Sequence, residues 1–385
     1  MPDPKHGRTL VLRDTEGLTS SHAVVPMGLV PIVARFDGDH TLPEIAEALR
    51  VPLGLVEKLH EQLDLGLFLD NARSAARRAE VTREFRESPV RPASHAGGAY
   101  HDDPAKLRAY LDDECIGKAM ASPTPARTRK LLGLVAPHID PWRGAIGYGH
   151  AYGATLAALP PEVDRVVVLG TSHAPMKRPF AFCSKAFDTP LGAVAVDAEA
   201  LAKLTASVRF DPYADELAHK REHSIEFQVV CLRHAFGDRP LRIVPILAGL
   251  GEEQVRGKEP GYEGLFDALG ELAQDGRTLF VAGADLAHVG PRFGDATALD
   301  SEAREALRQE DLTSMSLAAE KDAGGFWEQV SRDLDTRRVC GLGPMYALLR
   351  ALGQRGGPGE LLHYEQNIDP DEGSIVSFAA MGFYA

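Results

Sequence analysis

An α/β domain behind a small helical module is the fold class this sequence predicts, and three features predict it. From Gly97 to the C-terminus, short β-branched runs alternate with longer amphipathic stretches. Polar residues fall just past the ends of those runs, where the strands of an open sheet would deliver them to one crevice. Ahead of residue 70 lies a compact order of helix, turn, helix and strand, and a length of 385 residues suits one small unit plus one large one.

The composition fits a globular chain, with 44% hydrophobic and 25% charged residues. No apolar run approaches the ~20 residues of a membrane helix. The opening MPDPKHGRTL carries charges and two prolines without an apolar core, so no secretory leader and a cytoplasmic location are expected. A formal charge of -13 opposes nucleic-acid binding unless basic residues are segregated. The one such stretch, Arg73 to Arg91, also holds Glu80, Glu84 and Glu87 at helical distances and reads as a solvated linker helix. Residues 71–96 are therefore expected to be an Arg-rich linker between units 1–70 and 97–385. Cys115, Cys183, Cys231 and Cys340 form no CxxC pair and read as reduced thiols.

In the first unit an apolar stretch, Val24 to Ala34, is followed by the turn FDGDH. Thr41-Leu-Pro-Glu44 then opens a helix with a capping box and a proline in its first turn, and Leu42, Ile45, Ala46 and Leu49 form its apolar face. The spacing predicts a second helix from Leu53 to Asp64 with Leu55, Val56, Leu59 and Leu63 inward, and a strand at Gly66–Leu69. This is a winged-helix arrangement. Glu57, Glu61 and Asp64 against Lys58 make the second helix a poor surface for DNA. The run resembles PqqD-like winged helices, modules that hold peptides or dock partner proteins.

In the second unit, strands are expected at Leu131–Ala136, Arg165–Leu169, Leu241–Leu247, Thr278–Ala282 and Ser374–Met381. The first is followed by Pro137-His138, the second by Gly-Thr-Ser-His173, and the fourth by Gly-Ala-Asp285-Leu-Ala-His288. Three strand exits each deliver a histidine. Histidines and a carboxylate converging with a thiol make a transition-metal set.

The run beginning Gly97-Gly-Ala-Tyr100-His-Asp-Asp-Pro resembles the entry segment of the Memo family, known in bacteria as AmmeMemoRadiSam system protein B. Further matches follow in the family's order: VAPHIDPWRG, VVVLGTSHAP, REHSIEFQVVCLRHAFG, RIVPILAG, GADLAHVGPRFG, VCGLGPM and SIVSFAAMGF. The resemblance implies a fold related to class III extradiol dioxygenases, proteins that hold non-haem iron. It implies metal ligands at His138, His173 and Cys340, with Asp285 and His288 lining the same pocket as acid–base groups, and His223 and Glu226 orienting ligands from behind. Iron is the metal it favours, with copper or zinc as alternatives, and the chemistry is redox or oxygen chemistry on a small or peptide-linked substrate. The family name implies radical SAM and AMMECR-type partner proteins. This chain has Ala174 where the family often has a second His, and Leu342-Gly343 where the family has Arg-His.

Other readings compete for the same residues. His219-Lys-Arg-Glu222-His223 fits the HxxEH form of inverted zinc peptidases. Cys340 can be read as a thiolate nucleophile as well as a ligand, and its small-residue turn before a helix would lower its pKa in either role. Trp142, Arg143 and Tyr148 follow His138 toward a pocket mouth, and Asp140 and Asp188 are further carboxylates. A metal-binding or chaperone protein without turnover is the alternative from another class.

Overall fold

A computed structural model describes residues 9–14, 16–120, 129–249 and 262–385. The chain divides into two compact units, Met1–Ser88 and Pro89–Ala385.

In the first unit β1 (Thr9–Arg13) and β2 (His22–Pro26) pair as an antiparallel hairpin. Helices follow at Leu42–Leu49, Leu53–Leu65 and Ala72–Glu87. The capping box is formed in full: Thr41 accepts the Glu44 N–H, and the Glu44 carboxylate accepts the Thr41 N–H at 2.8 Å. Ile45, Val56, Leu59 and Leu63 are buried together, with Leu42, Leu49 and Phe68 packed against them.

Three expectations are corrected here. The segment Gly66–Leu69 is a turn and no strand. Leu67 takes a left-handed φ of 65°, and the Phe68 N–H donates back to the Leu63 carbonyl at 2.9 Å. That apolar run closes the preceding helix and folds onto its core, as helix-terminating motifs do. Leu55 is 37% exposed, because it lies about 100° around the helix from Val56 and off the stripe of Val56, Leu59 and Leu63. The third concerns residues 71–96. Asn71 caps the helix Ala72–Glu87 by accepting the N–H groups of Arg73 and Ser74, Arg78 pairs with Glu16, and Ser74, Val81 and Phe85 are buried. This helix belongs to the first unit, and Arg91, read as part of a solvated linker, is fully buried in the second.

The strands of the second unit are β3 (Val90–Arg91), β4 (Leu131–Ala136), β5 (Arg165–Thr171), β6 (Phe180–Phe182), β7 (Ala186–Phe187), β8 (Ala195–Val196), β9 (Arg242–Ala248), β10 (Thr278–Gly283), β11 (Asp285–Val289), β12 (Glu360–Ile368) and β13 (Ile375–Tyr384). The main sheet runs β11-β13-β4-β10-β5-β9-β6, with β12 on β13 and β8 on β9, while β3 and β7 pair separately. Its centre, β4-β10-β5-β9, is parallel. Parallel strands covered on both faces need apolar side chains on both, which is why β5 reads Arg-Val-Val-Val-Leu rather than alternating with polar residues. Val166 and Val168 face a layer with Tyr152 and Val229, from the helices Pro141–Ala158 and His223–Phe236. Val167 and Leu169 face the opposite layer with Leu269 and Leu348, from the helices Glu263–Leu272 and Leu342–Leu352. All five expected strands are present within a residue or three of their expected ends.

One feature of the topology builds the site. β10 lies between β4 and β5, but after Ala284 the chain leaves that position and β11 pairs antiparallel with β13. β13 offers residues 375–378 to β11 and residues 381–384 to β4 along its length. The β10–β11 junction therefore crosses the carboxyl end of β4, where the Ala284 N–H donates to the Ala136 carbonyl at 2.8 Å. Among the described residues no helix is long and apolar enough to cross a membrane.

Candidate metal centre

His138 and His173 each lie two residues past a parallel strand, and the crossing brings Asp285 beside the first. The Asp285 carboxylate accepts the His138 backbone N–H at 2.8 Å. Cys340 comes from the turn before the helix Leu342–Leu352 and is fixed at three points. Thr171 donates to its carbonyl at 2.7 Å, the next residue's N–H donates to the Asp285 carbonyl at 3.0 Å, and its own Sγ stands 3.1 Å from His138 Nε2. The residue after it must be glycine: a Cβ on Gly341 would stand 2.4 Å from the Asp285 carbonyl oxygen. Gly283 permits an equally close approach, since a Cβ there would meet the Ser224 carbonyl oxygen at 2.4 Å and lift the start of the helix His223–Phe236 from the sheet.

The donor atoms of His138, His173 and Cys340 all lie within 4.8 Å of one another. The hydrogen bonds behind them settle which ring nitrogen faces the cluster. His138 donates Nδ1–H to the Gly283 carbonyl at 2.9 Å. His173 Nδ1 lies 3.0 Å from Glu222 Oε1, and the same carboxylate accepts the His173 backbone N–H at 2.8 Å. With Nδ1 engaged, each ring leaves its Nε2 lone pair for the cluster, the arrangement that metal-ligating histidines have in general. Two imidazole nitrogens and one thiol sulfur are a donor set that fits a transition-metal ion.

The electrostatics treat the two histidines differently. Burial pulls the His138 pKa down to about 3, with His173 adding to the effect. Burial also lowers His173, but its hydrogen bond to Glu222 and that group's charge outweigh burial and the net shift is upward. Burial would raise Glu222, yet the His173 hydrogen bond and charge bring it far below the usual carboxylate range. Burial pushes the Cys340 thiol well up, with the Asp285 charge adding to it. The sequence-based expectation of a lowered thiol pKa is thus reversed, because the sulfur is buried and the nearby charge is a carboxylate rather than a cation. Asp285 is itself raised to about 6 by burial.

His138, His173 and Asp285 floor a cavity of about 340 Å³ whose walls include His95, Ile139, Arg143, Phe227, His288 and Arg292. His288, on β11, is part-buried against Phe293 and its Nδ1 lies 3.2 Å from the Leu286 carbonyl. His223 lies in the cavity wall itself, stacked on His173 with ring centres 4.5 Å apart, and His173, Glu222 and His223 form a second group with donor atoms within 4.8 Å. Glu226 stands one layer further out, hydrogen-bonded to His95, Tyr100 and Ser94.

The peptidase motif does not assemble. His219 lies in the 3-10 helix Glu216–Arg221, while Glu222 caps the next helix and His223 begins it, so the two histidines do not share one helix. His219 is 1% exposed, and its Nε2 donates to the Ala181 carbonyl at 3.0 Å. Asp140 caps the helix Pro141–Ala158 and pairs with Arg143 at the cavity edge, whereas Asp188 is exposed and belongs to neither donor group. Trp142 is 41% exposed and donates to the Gly98 carbonyl, and Tyr148 is buried with its hydroxyl on the Ile139 carbonyl. Sequence spacing gave no role to His95 or to Glu222 as the holder of His173. The contact spans 49 residues, and its one local sign is a glutamate at the cap of a helix.

Fold and site together define a three-layer α/β protein with a His/His/Cys donor cluster at the carboxyl ends of its parallel strands. The chain belongs to the Memo family: the model of the Memo-like protein family matches residues 91–382. A MEMO1 family protein of Aquifex aeolicus is 28% identical over 388 residues, covering 98% of this chain and 97% of the relative. One from Thermus thermophilus is 30% identical over 82% of this chain and 91% of its own length. One from Methanosarcina barkeri is 31% identical over 66% of this chain and 87% of its own. The match starts at Arg91, which agrees with the unit boundary after Ser88 and not with the expected start at Gly97.

Proposed function

We propose that the second unit binds one transition-metal ion through His138, His173 and Cys340, iron foremost with copper or zinc as alternatives, and carries out redox or oxygen chemistry on a small or peptide-linked substrate. The observation that carries this reading is the 3.1 Å approach of Cys340 Sγ to an Nε2 whose partner nitrogen is committed to a carbonyl. Iron or copper held by these residues would supply a Lewis-acidic, redox-capable centre, and zinc would supply Lewis acidity alone. The chain's own residues do the rest. Asp285, held near neutrality by burial, and the part-buried His288 stand beside the cluster as groups able to take and return a proton. Ile139, Phe227 and Phe293 keep part of the cavity wall dry.

The first unit exposes the apolar side chains of Val24, Met27, Leu53, Leu55 and Leu65; its proposed role is to dock a peptide or a partner protein, and radical SAM and AMMECR-type proteins are the partners this reading names. Metal analysis of anaerobically purified protein tests the central proposal. One equivalent of a redox metal supports it. Absence of any bound transition metal after reconstitution under reducing conditions contradicts it.

A further inference from the structure

The segment that enters the second unit reaches the cavity through one buried carboxylate. Glu226, 1% exposed, accepts from five donors: the guanidinium of the fully buried Arg91, the Ser94 N–H at 3.2 Å, the His95 N–H at 2.9 Å, His95 Nδ1 at 3.0 Å and the Tyr100 hydroxyl at 2.5 Å. No other carboxylate among the described residues draws so many donors onto one short segment. Glu226 therefore pins both the backbone and the ring of His95, and the ring stands edge-on to His223 and Phe227 with centres 5.7 and 5.5 Å away.

His95 is thus prepared in the same way as His173: a buried carboxylate takes its Nδ1 and its backbone N–H, which commits Nε2 to the other side. It differs in lying outside the donor clusters while lining the same cavity. Its side chain is 27% exposed, and its Nε2 has no hydrogen-bond partner in the described protein. An imidazole so oriented presents its Nε2 lone pair to the cavity, where it can take a proton from a bound ligand.

We infer that His95 is a ligand-contacting acid–base residue of this pocket, held in position by Glu226, and that the molecule bound there gives up a proton from an O–H or N–H group. The proton passes to His95 Nε2, the ligand remains as an anion, and the Nε2–H then donates a hydrogen bond to that anion. No electron changes hands in this step. The inference rests on the proposed metal pocket for the anion's place, but not for the state of the ring.

The test uses the full-length protein in two arms. In metal-free protein, histidine 15N spectra should show His95 as a single Nδ1–H tautomer. Mixed tautomers would overturn the inference. In Co(II)-loaded protein, hydrazoic acid supplied as azide serves as the probe: its proton passes to His95 Nε2, whose N–H then donates to the azide anion. His95→Ala should leave Co(II) content unchanged and weaken azide binding by about tenfold, the worth of a hydrogen bond to a charged group, and His95→Gln should recover part of that loss. Equal azide affinity in wild type and His95→Ala, or loss of Co(II) with His95→Ala, would overturn it. Failure of wild-type protein to take up Co(II) counts against the metal proposal instead, and the tautomer then decides the inference alone.

Discussion

Glu222 holds His173 at two points, accepting its backbone N–H at 2.8 Å and its Nδ1–H at 3.0 Å, so that one carboxylate sets both the position and the tautomer of the ring. Glu222→Gln keeps the size of the side chain but presents an amide that cannot serve both donors equally. Metal affinity should fall by about 10–100-fold, as with other groups behind a metal ligand, while far-ultraviolet circular dichroism stays unchanged. Competition against a chromophoric chelator measures it. Unchanged affinity would show that Glu222 is not the group that orients His173.

Metal uptake should depend on pH with a definite sign. The Cys340 thiol is pushed well above its ordinary value and is protonated in the metal-free protein at neutral pH, whereas its ligating form is the thiolate. Binding therefore releases a proton, and apparent affinity should rise by about tenfold per pH unit near neutrality. His173, shifted upward, adds a second proton on the acid side, so the slope steepens as pH falls. Cys340→Ala should flatten the neutral part of the profile. Isothermal titration in buffers of different ionisation heat counts the protons directly, and zero proton release at pH 7 would contradict the thiolate assignment.

The Glu226 clamp should show in acid stability. Burial alone would raise its pKa, but the His95 hydrogen bond and the Arg91 charge hold it down to about 2 in the fold, against 4.5 in the free side chain. A carboxylate with a depressed folded pKa gives stability that is complete above its unfolded pKa and is lost as pH falls through the folded one, so the loss should run from about pH 5 to pH 2. Glu226→Gln should remove that dependence. It should also destabilise the protein by about 3–5 kcal/mol at neutral pH, since Arg91 is left buried without its counter-charge. Urea midpoints at pH 7 and pH 3 for both proteins give the comparison, and parallel pH dependence would refute it.

Two truncations separate the unit boundary from the apparent linker. Removal of residues 1–88 leaves Arg91 in place, where its guanidinium binds the carbonyls of His219 and Glu222 as well as Glu226. That form should be soluble and take up metal. Removal of residues 1–92 takes Arg91 away and should give a protein with a clearly lower melting temperature and weaker metal retention. Indistinguishable truncations would mean that the Arg91 contacts contribute nothing.

The second unit's sheet was legible because each parallel strand is apolar on both faces, and such runs stand out between amphipathic helices. The donor cluster was legible because the sheet's strand ends place His138 and His173 at a fixed two-residue offset, and family motifs carried Cys340. What escaped were contacts made across long stretches of chain. Arg91 lies among arginines that face solvent and differs from them in having partners 128 to 135 residues away. Gly66–Leu69 has a strand's composition, but among the described residues no strand pairs with it. Leu55 shows that an apolar residue within a helical stripe's sequence range can still lie off the stripe.

X-ray absorption at the edge of the bound metal tests the central claim most directly. The account predicts one sulfur scatterer at about 2.3 Å together with imidazole nitrogen at about 2.0–2.1 Å, the sulfur vanishing in Cys340→Ala and the imidazole signal shrinking in His138→Ala. A metal shell without sulfur in the wild-type protein, or one unchanged by both substitutions, would contradict it.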